Sequence, residues 1–236
     1  MPASSTILST IGGTTGSDPD GATFLDNLFG SGSSAPSERL FSLSLARRED
    51  VRTASTFGIG AVSPSFCPSP CSPSYMPIIA QPQLGTTGFL HWRIQMQTVS
   101  VTTWGNAEAG SDPKTTAVTL GSSQVYASKS SPLAVLDSGG VQILVGYRPY
   151  ADAIYSAMGI SMSSDGLYRM PCTQQMAITF RINGQNIPVH PLDMTYTDPS
   201  DSTQATCIGM IQYSSNLGES GDLYVNPVNR ARYLLT

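Results

Sequence analysis

Apolar and polar residues of this chain alternate mainly with the two-residue period of β-strands. The segment ERLFSLSLAR alternates apolar side chains with serines between Leu40 and Leu45, and HWRIQMQTVSV sets Trp92, Ile94 and Met96 against polar residues. Such alternation is typical of strands with one buried face. The segments AITFRING and QNIPVH form another alternating pair across Asn-Gly, the preferred sequence of a two-residue hairpin turn. These patterns predict an antiparallel, strand-rich protein.

Shorter segments complete the predicted elements. The segments STFGIGAV, SSPLAVLD and TCIGMIQYSS are predicted strands, with weaker strands around Val118, Leu120, Val125 and Tyr126. Apolar residues at helical spacing predict one short helix in ATFLDNLFG and another that begins near Pro149. Residues 63–88 contain six prolines, which predicts an irregular surface loop. The predicted fold class is therefore all-β with short helices.

The composition supports this fold class and excludes several kinds of partner. Charged residues make up 12% of the 236 residues, against about a quarter in typical soluble domains. The formal net charge is -4, and no basic cluster extends beyond Arg47 and Arg48, so nucleic acid is not an expected partner. No apolar stretch is long enough to form a membrane helix, and the first residues lack the features of a signal peptide.

The positions of the cysteines and histidines indicate whether a metal site is expected and whether the protein resides in an oxidising compartment. These residues are Cys67, Cys71, Cys172, Cys207, His91 and His190. A structural zinc site needs four well-placed sulfur or nitrogen ligands, and the two histidines are remote in sequence, so we expect neither a metal nor another cofactor. Two disulfides fit the cysteine count better and would imply an oxidising compartment.

The strongest chemical signal lies in the segment LAVLDSGG. Asp137 follows the apolar run of residues 133–136 and precedes Ser138 and Gly139. Asp, Ser and Gly are also common in surface turns, so the triplet alone is weak evidence. The apolar approach, and the predicted helix that follows the loop, favour a functional carboxylate at the end of a buried strand.

These segments, in this order, resemble the pepsin-like aspartic proteases of the fungal type, and in particular the second half of such enzymes. Residues 135–139 match the family signature of two hydrophobic residues, Asp, Thr or Ser, and Gly. The segment TFLDNLF resembles the helix that closes the N-terminal lobe, ERLFSLSLAR a strand of the interlobe sheet, and FLHWRIQMQTVSV the strand that opens the C-terminal lobe. The resemblance spans roughly residues 23–213.

The resemblance implies an incomplete version of a bilobal architecture of closed β-barrels. Residues 1–48 would be the end of the N-terminal lobe with part of the interlobe sheet. Residues 49–236 would be the C-terminal lobe with an atypical C-terminus. It also implies a disulfide between Cys172 and Cys207 around the Asn-Gly hairpin, while Cys67 and Cys71 would close a small loop or remain thiols.

The implied activity is hydrolysis of peptide bonds at acidic pH by two aspartates that share a proton across a bound water. Asp137 would be one of them, Ser138 would link the two catalytic loops, and the Gly139 amide would hydrogen-bond the carboxylate. The implied substrate is a peptide or protein, no cofactor is needed, and the implied location is extracellular or vacuolar.

The sequence departs from the family pattern in three places. The family's first catalytic aspartate and flap tyrosine have no match. The string TTGS at residues 14–17 only imitates the first signature, because the TFLDNLF helix follows almost at once, and the hydroxyl of Thr14 could not replace a carboxylate in this chemistry. Gly140 stands where the family usually has a hydroxyl residue. The segment LGESGDLYVNPVNRARYLLT offers at best Leu217 and Gly218 as a match to the closing strand of the lobe.

We therefore expect an inactive fragment whose missing partner is an N-terminal lobe. Two alternatives remain open at this stage. One is a non-catalytic protein with this fold that binds peptides or inhibits proteases. The other is a symmetric dimer in which each chain contributes Asp137.

Overall fold

The structure is a computed structural model of the chain. It describes residues 28–29, 35–36, 38–46, 54–62, 75–79, 91–104, 112–121, 132–137, 140, 142–217, 222–225 and 233–235. The chain divides into two compact units. The first comprises Met1–Trp92 with Arg232–Thr236, and the second comprises Arg93–Ala231.

Strands dominate the part of the chain that the structure describes. The strands are β1 (Phe41–Ser44), β2 (Thr56–Ile59), β3 (Arg93–Gln95), β4 (Thr98–Thr103), β5 (Lys114–Val118), β6 (Leu133–Leu136), β7 (Ile143–Val145), β8 (Arg169–Pro171), β9 (Met176–Ile182), β10 (Gln185–Val189), β11 (Thr195–Thr197), β12 (Thr206–Gly209), β13 (Ile211–Tyr213), β14 (Asp222–Val225) and β15 (Tyr233–Leu235). The described residues also include the α-helix α1 (Arg148–Ser156) and the 3-10 segments Pro191–Asp193 and Ser215–Leu217. The predicted all-β class with short helices is confirmed.

The first unit contains a three-stranded sheet in the order β15-β1-β2, in which both pairs are antiparallel. Apolar and small polar residues alternate along β1, and Ser42 is buried on the face opposite Phe41. The Phe41 ring packs against Phe57 at a centroid distance of 6.0 Å and against Trp92 at 5.7 Å. Strands β1 and β2 lie where the two-residue period predicted them. Only Leu28 and Phe29 of the predicted first helix lie within the described residues, and both are helical.

Two antiparallel sheets of the second unit have the orders β10-β9-β4-β5 and β11-β12-β8. The hairpin of β9 and β10 turns at Asn183 and Gly184, whose φ angles are 50° and 75°. Two successive positive φ angles are the requirement of the type I′ turn that Asn-Gly favours, so the predicted hairpin is confirmed. Alternate residues of β9 are buried, which places Ile178 and Phe180 in the core.

The third sheet of this unit has five strands in the order β13-β7-β14-β6-β3. Strand β14 lies between β6 and β7, parallel to β6 and antiparallel to β7. The two strands that flank the Asp137 loop are therefore separated by a strand from the C-terminal segment. The sequence analysis predicted neither β14 nor β15. It found its best match to a closing strand at Leu217 and Gly218, whereas β14 begins at Asp222 and β15 at Tyr233.

Three further details differ from the predictions. The single strand predicted in HWRIQMQTVSV is split into β3 and β4, and its residue Arg93 is only 3% exposed although alternation placed it on the wet face. The strand predicted in TCIGMIQYSS is also split, into β12 and β13. The described strands form four separate sheets that do not close into a barrel.

Candidate active site

Asp137 follows directly on β6, an inner strand of the five-stranded sheet. Strand β6 pairs with β14 on one side and with β3 on the other. Leu133, Ala134 and Val135 are buried, and Asp137 is half-buried. The apolar run thus delivers the carboxylate to the end of a buried strand, as the sequence indicated.

The chain folds back onto the Asp137 carboxylate after the strand ends. A Cβ atom added at Gly140 would lie 3.2 Å from Oδ2 of Asp137 and 3.5 Å from the carbonyl oxygen of Gln142. Because 3.2 Å is tighter than an ordinary van der Waals contact, a side chain at position 140 would press on the carboxylate. The absence of a side chain at Gly140 therefore lets the backbone at this position lie close to the Asp137 carboxylate. Ser138 and Gly139, which the resemblance implies in supporting roles, lie outside the described residues.

The helix that follows the loop is anchored to the same sheet by Tyr155. Its hydroxyl donates a hydrogen bond to the Ile211 carbonyl at 2.8 Å and accepts one from the Ile211 amide at 3.2 Å. Strand β13, to which Ile211 belongs, pairs in parallel with β7, the strand that leaves the Asp137 loop. Burial raises the pKa of Tyr155, so the hydroxyl stays neutral and can both donate and accept.

A second buried tyrosine extends this support. The Tyr168 ring stacks on Tyr155 at a centroid distance of 4.2 Å, and its hydroxyl donates to Asp152 of α1 at 2.7 Å. Burial, followed by this hydrogen bond, raises the pKa of Tyr168. Gln212 accepts from the Tyr168 amide and donates to the Gly209 carbonyl at 2.6 Å. These contacts fix α1 against the strands below the Asp137 loop, and no local sequence signal predicted them.

A hydrogen bond connects the Asp137 loop to β11. The Gln142 side chain donates from Nε2 to the Tyr196 hydroxyl at 3.1 Å. Gln142 is also the residue whose carbonyl oxygen approaches the Gly140 position. Tyr196 therefore contacts the loop that carries Asp137, a link that the sequence analysis missed because the two residues lie 54 positions apart.

The sheet that contains β11 is stabilised by a disulfide and by a partly buried ion pair. Cys172 and Cys207 form the disulfide that the resemblance implied, whereas Cys67 and Cys71 lie outside the described residues. Asp198 is only 3% exposed and accepts from Nε of Arg169 at 2.6 Å and from the Ser200 hydroxyl at 2.6 Å. The Arg169 guanidinium, followed by the Ser200 hydroxyl, lowers the pKa of Asp198 to about 2.

The histidines form no metal centre in the described part of the chain. There, no group of three or more His, Cys, Asp or Glu side chains is arranged to hold a metal ion. His190 is exposed, and its Nδ1 accepts from the Leu192 amide at 3.2 Å, which is a local turn contact. Thr14, in the TTGS string that imitates the signature, lies outside the described residues.

Comparisons with known proteins establish the family. The model of the eukaryotic aspartyl protease family matches residues 20–226. This chain belongs to the eukaryotic aspartyl protease family, and the resemblance seen in the sequence is confirmed. A search of curated proteins found no match.

A solved structure confirms the fold class. The chain is similar to the aspartic proteinase from Irpex lacteus, with a TM-score of 0.53 and 16% sequence identity. The match covers 92% of this chain but 59% of that enzyme, so the chain spans well under two thirds of its length. The fold is similar to that of pepsin-like aspartic proteinases, with sheets that do not close into a barrel. Within the described residues, no helix is long and apolar enough to cross a membrane.

Proposed function

We propose that this chain supplies one of the two carboxylates of an acid-acting aspartic endopeptidase, and that Asp137 is that carboxylate. The observation that carries the proposal is the position of Asp137 at the end of the buried inner strand β6, with the backbone of Gly140 close to its carboxylate. The signature of Asp, Thr or Ser, and Gly occurs once in the 236 residues. The proposed substrate is an extended peptide or a protein.

The proposed chemistry needs two carboxylates that hold one proton between them. Two like charges about 3 Å apart cannot both ionise, so the pair retains a proton in mildly acidic solution. The ionised member takes a proton from a bound water, which attacks the scissile carbonyl carbon while the other member protonates the carbonyl oxygen. The product of this step is a tetrahedral intermediate without a covalent bond to the enzyme.

A single carboxylate cannot fill both roles at once. If Asp137 is ionised it can act as the base, but no acid then protonates the carbonyl oxygen. If it is protonated, the water has no base. We therefore expect the 236-residue chain to be inactive by itself.

The test is a fusion that places the N-terminal lobe of a pepsin-like enzyme in front of this chain. In the proposed domain assignment, residues 1–48 include the end of the N-terminal lobe, which sets the junction. Digestion of haemoglobin at pH 3–5 is measured with and without pepstatin. We expect pepstatin-sensitive digestion that Asp137→Asn reduces by about 10² to 10⁴, the usual contribution of a general acid or base.

The matched control is Asp112→Asn, which neutralises an exposed carboxylate and should leave digestion unchanged. If digestion by the fusion survives Asp137→Asn, the assignment of Asp137 is wrong. A fusion that does not digest haemoglobin could simply have failed to assemble. Pepstatin binding is therefore measured to verify that the two lobes have assembled correctly.

The chain alone separates the two alternatives in the same assay. Digestion that rises with the square of protein concentration and vanishes in Asp137→Asn would favour a symmetric dimer. A peptide that stays bound through purification of the chain and is not cleaved would favour a non-catalytic peptide-binding protein. The proposal predicts that the chain alone neither digests haemoglobin nor retains a peptide through purification.

We also propose an extracellular or vacuolar location, because the Cys172–Cys207 disulfide suits an oxidising compartment. Mass spectrometry of protein that was alkylated before extraction from its native source tests this. An unmodified, disulfide-linked peptide pair is expected, and two alkylated cysteines would contradict the proposal.

A further inference from the structure

We propose that the outer edge of β11 binds an extended segment of a peptide or protein by strand addition, at a docking site separate from Asp137. That the bound segment belongs to a substrate rests on the proposed function. The docking itself does not, because it depends only on the backbone of β11 and on the cavity beside it.

The hydrogen bonds at both ends of β11 show which of its backbone groups face outward. The Met210 amide donates to the Met194 carbonyl at 2.8 Å, and the Asp198 amide donates to the Thr206 carbonyl at 3.0 Å. In an antiparallel ladder, residues that bond the partner strand alternate with residues that do not. The backbone amide and carbonyl groups of residues 194, 196 and 198 therefore point toward β12. The amide and carbonyl groups of Thr195 and Thr197 point away from β12, toward the edge where no other described strand pairs with β11.

The neighbouring residues limit this edge to a short register. Residue 199 is the next position whose amide would face outward, and it is Pro199, which has no amide hydrogen. At the other end, Pro191–Asp193 form a 3-10 turn, and the Met194 amide donates back to the Pro191 carbonyl. The edge thus offers two donors and two acceptors, on Thr195 and Thr197. Such a pattern fits one short extended segment rather than a long strand.

A cavity of about 600 Å³ adjoins the strand. It is lined by all three residues of β11, by the Cys172–Cys207 disulfide, and by the segments 173–175 and 190–192. Among the described residues that line it, none is Asp, Glu, Lys or Arg, and His190 is the only ionisable side chain apart from tyrosine. Leu192, 75% exposed, and Tyr196, 39% exposed, present apolar surface there. This lining favours a segment with uncharged, apolar or β-branched side chains.

Tyr196 makes the docking site continuous with the loop of the proposed active site. Its hydroxyl accepts a hydrogen bond from the Gln142 side chain, and the Gln142 carbonyl oxygen lies near Gly140, which in turn lies close to the Asp137 carboxylate. A segment bound at β11 would therefore rest on the strand that contacts this loop. Four backbone hydrogen bonds and little apolar area support only weak binding, with a Kd on the order of 1 mM or somewhat lower. Weak docking suffices to raise the local concentration of a tethered scissile bond.

The experiment is a titration of the isotope-labelled 236-residue chain at pH 4.5, followed by amide NMR spectra. The probe is an acetylated and amidated peptide of alternating valine and threonine, and its counterpart has the central amides N-methylated. We expect the Thr195 and Thr197 amide signals to shift with the first peptide only. Lack of binding up to about 10 mM, or shifts that map elsewhere, would overturn the proposal.

Three variants sharpen the result. Thr195→Pro removes one outward amide at an edge position that tolerates proline, and should weaken binding about tenfold or more. Thr195→Ala keeps the amide and should stay within about twofold of the unmodified chain. Equal affinity of the Pro and Ala variants, with native spectra outside β11, would refute strand addition. Tyr196→Phe should retain binding but abolish the shift of the Gln142 side-chain amide, and an unchanged Gln142 response would refute the link to the Asp137 loop.

The two proposals can fail separately. Asp137→Asn should leave this titration unchanged even though it removes digestion by the fusion. If the peptide still docks at β11 and the fusion carrying Asp137→Asn still digests haemoglobin, only the proposed function is rejected. Loss of docking with Asp137-dependent digestion intact would reject only the docking site.

Discussion

Two aspartates of the second unit follow directly on strands, Asp137 after β6 and Asp198 after β11, and their surroundings differ. Strand β6 is apolar and lies inside a five-stranded sheet, whereas β11 is polar and lies at the edge of a three-stranded one. Asp198 is nearly inaccessible and bound by Arg169 and Ser200. Asp137 is half-buried beside Gly140, where a side chain would crowd its Oδ2 atom.

The comparison separates a structural carboxylate from a candidate reactive one. Asp198 accepts hydrogen bonds from Arg169 and from both the amide and the hydroxyl of Ser200, and all of these favour the ionised form. A group held ionised in this way stabilises the fold but does not exchange protons at pH 3–5. The feature that the structure shows beside the Asp137 carboxylate is the close backbone of Gly140, where a side chain would crowd Oδ2.

The largest expected effect on stability comes from removing the disulfide beside Asp198. Cys172→Ser with Cys207→Ser opens a loop of 35 residues, which should lower the free energy of unfolding by about 3–4 kcal/mol in the chain-entropy model. Urea unfolding of the oxidised chain measures the change. Cys67→Ser with Cys71→Ser, only four positions apart, is the control and should cost less. A loss below about 1 kcal/mol for the first pair would contradict this view of the β11-β12-β8 sheet.

A smaller loss of unfolding free energy is expected from a side chain that crowds Tyr155, which anchors α1 to the five-stranded sheet. A Cβ atom at Gly209 would collide with the Tyr155 hydroxyl, which Ile211 holds in place. Gly209→Ala should therefore cost about 1–3 kcal/mol of unfolding free energy. Gly121→Ala is the control, because its Cβ would make only ordinary contacts.

A double variant tests the cause of that loss. Removing the hydroxyl with Tyr155→Phe in the Gly209→Ala background should recover part of the stability, despite the lost hydrogen bonds to Ile211. Additive losses in the double-mutant cycle would show that the two groups do not meet.

The smallest effect, and one that depends on pH, concerns Asp198. Its pKa is lowered to about 2, against about 3.9 in an unfolded chain. The carboxylate therefore contributes stability that is complete above about pH 4 and is lost as pH falls toward 2. Asp198→Asn should lower the Tm at pH 5, and the difference from the unmodified chain should shrink between pH 4 and pH 2. A difference that is constant over this range would show that the ion pair with Arg169 does not stabilise the fold; Asp112→Asn serves as the exposed control.

Local sequence patterns predicted the elements that position Asp137. They did not predict strand pairings and hydrogen bonds between residues that are distant in sequence. Strand β6 and the Asn183-Gly184 hairpin depend on adjacent residues, so their patterns were sufficient. Strand β14 was missed because its short segment becomes a strand only between β6 and β7. The bond between Gln142 and Tyr196 has no local signature either.

Burial predicted from the two-residue period was also wrong for a polar residue inside the fold. Arg93 alternates as a wet position in the sequence but is buried in β3, which pairs with β6. The catalytic assignment of Asp137 came from the family signature, since nothing in the periodicity distinguishes a reactive carboxylate from one such as Asp198.

The most direct test of the central claim is a crystal structure of the fusion with pepstatin bound. The statine hydroxyl stands in for the attacking water, so we expect it within about 3 Å of an Asp137 carboxylate oxygen and of the aspartate supplied by the added lobe. A complex in which that hydroxyl is bound away from Asp137 would contradict the account.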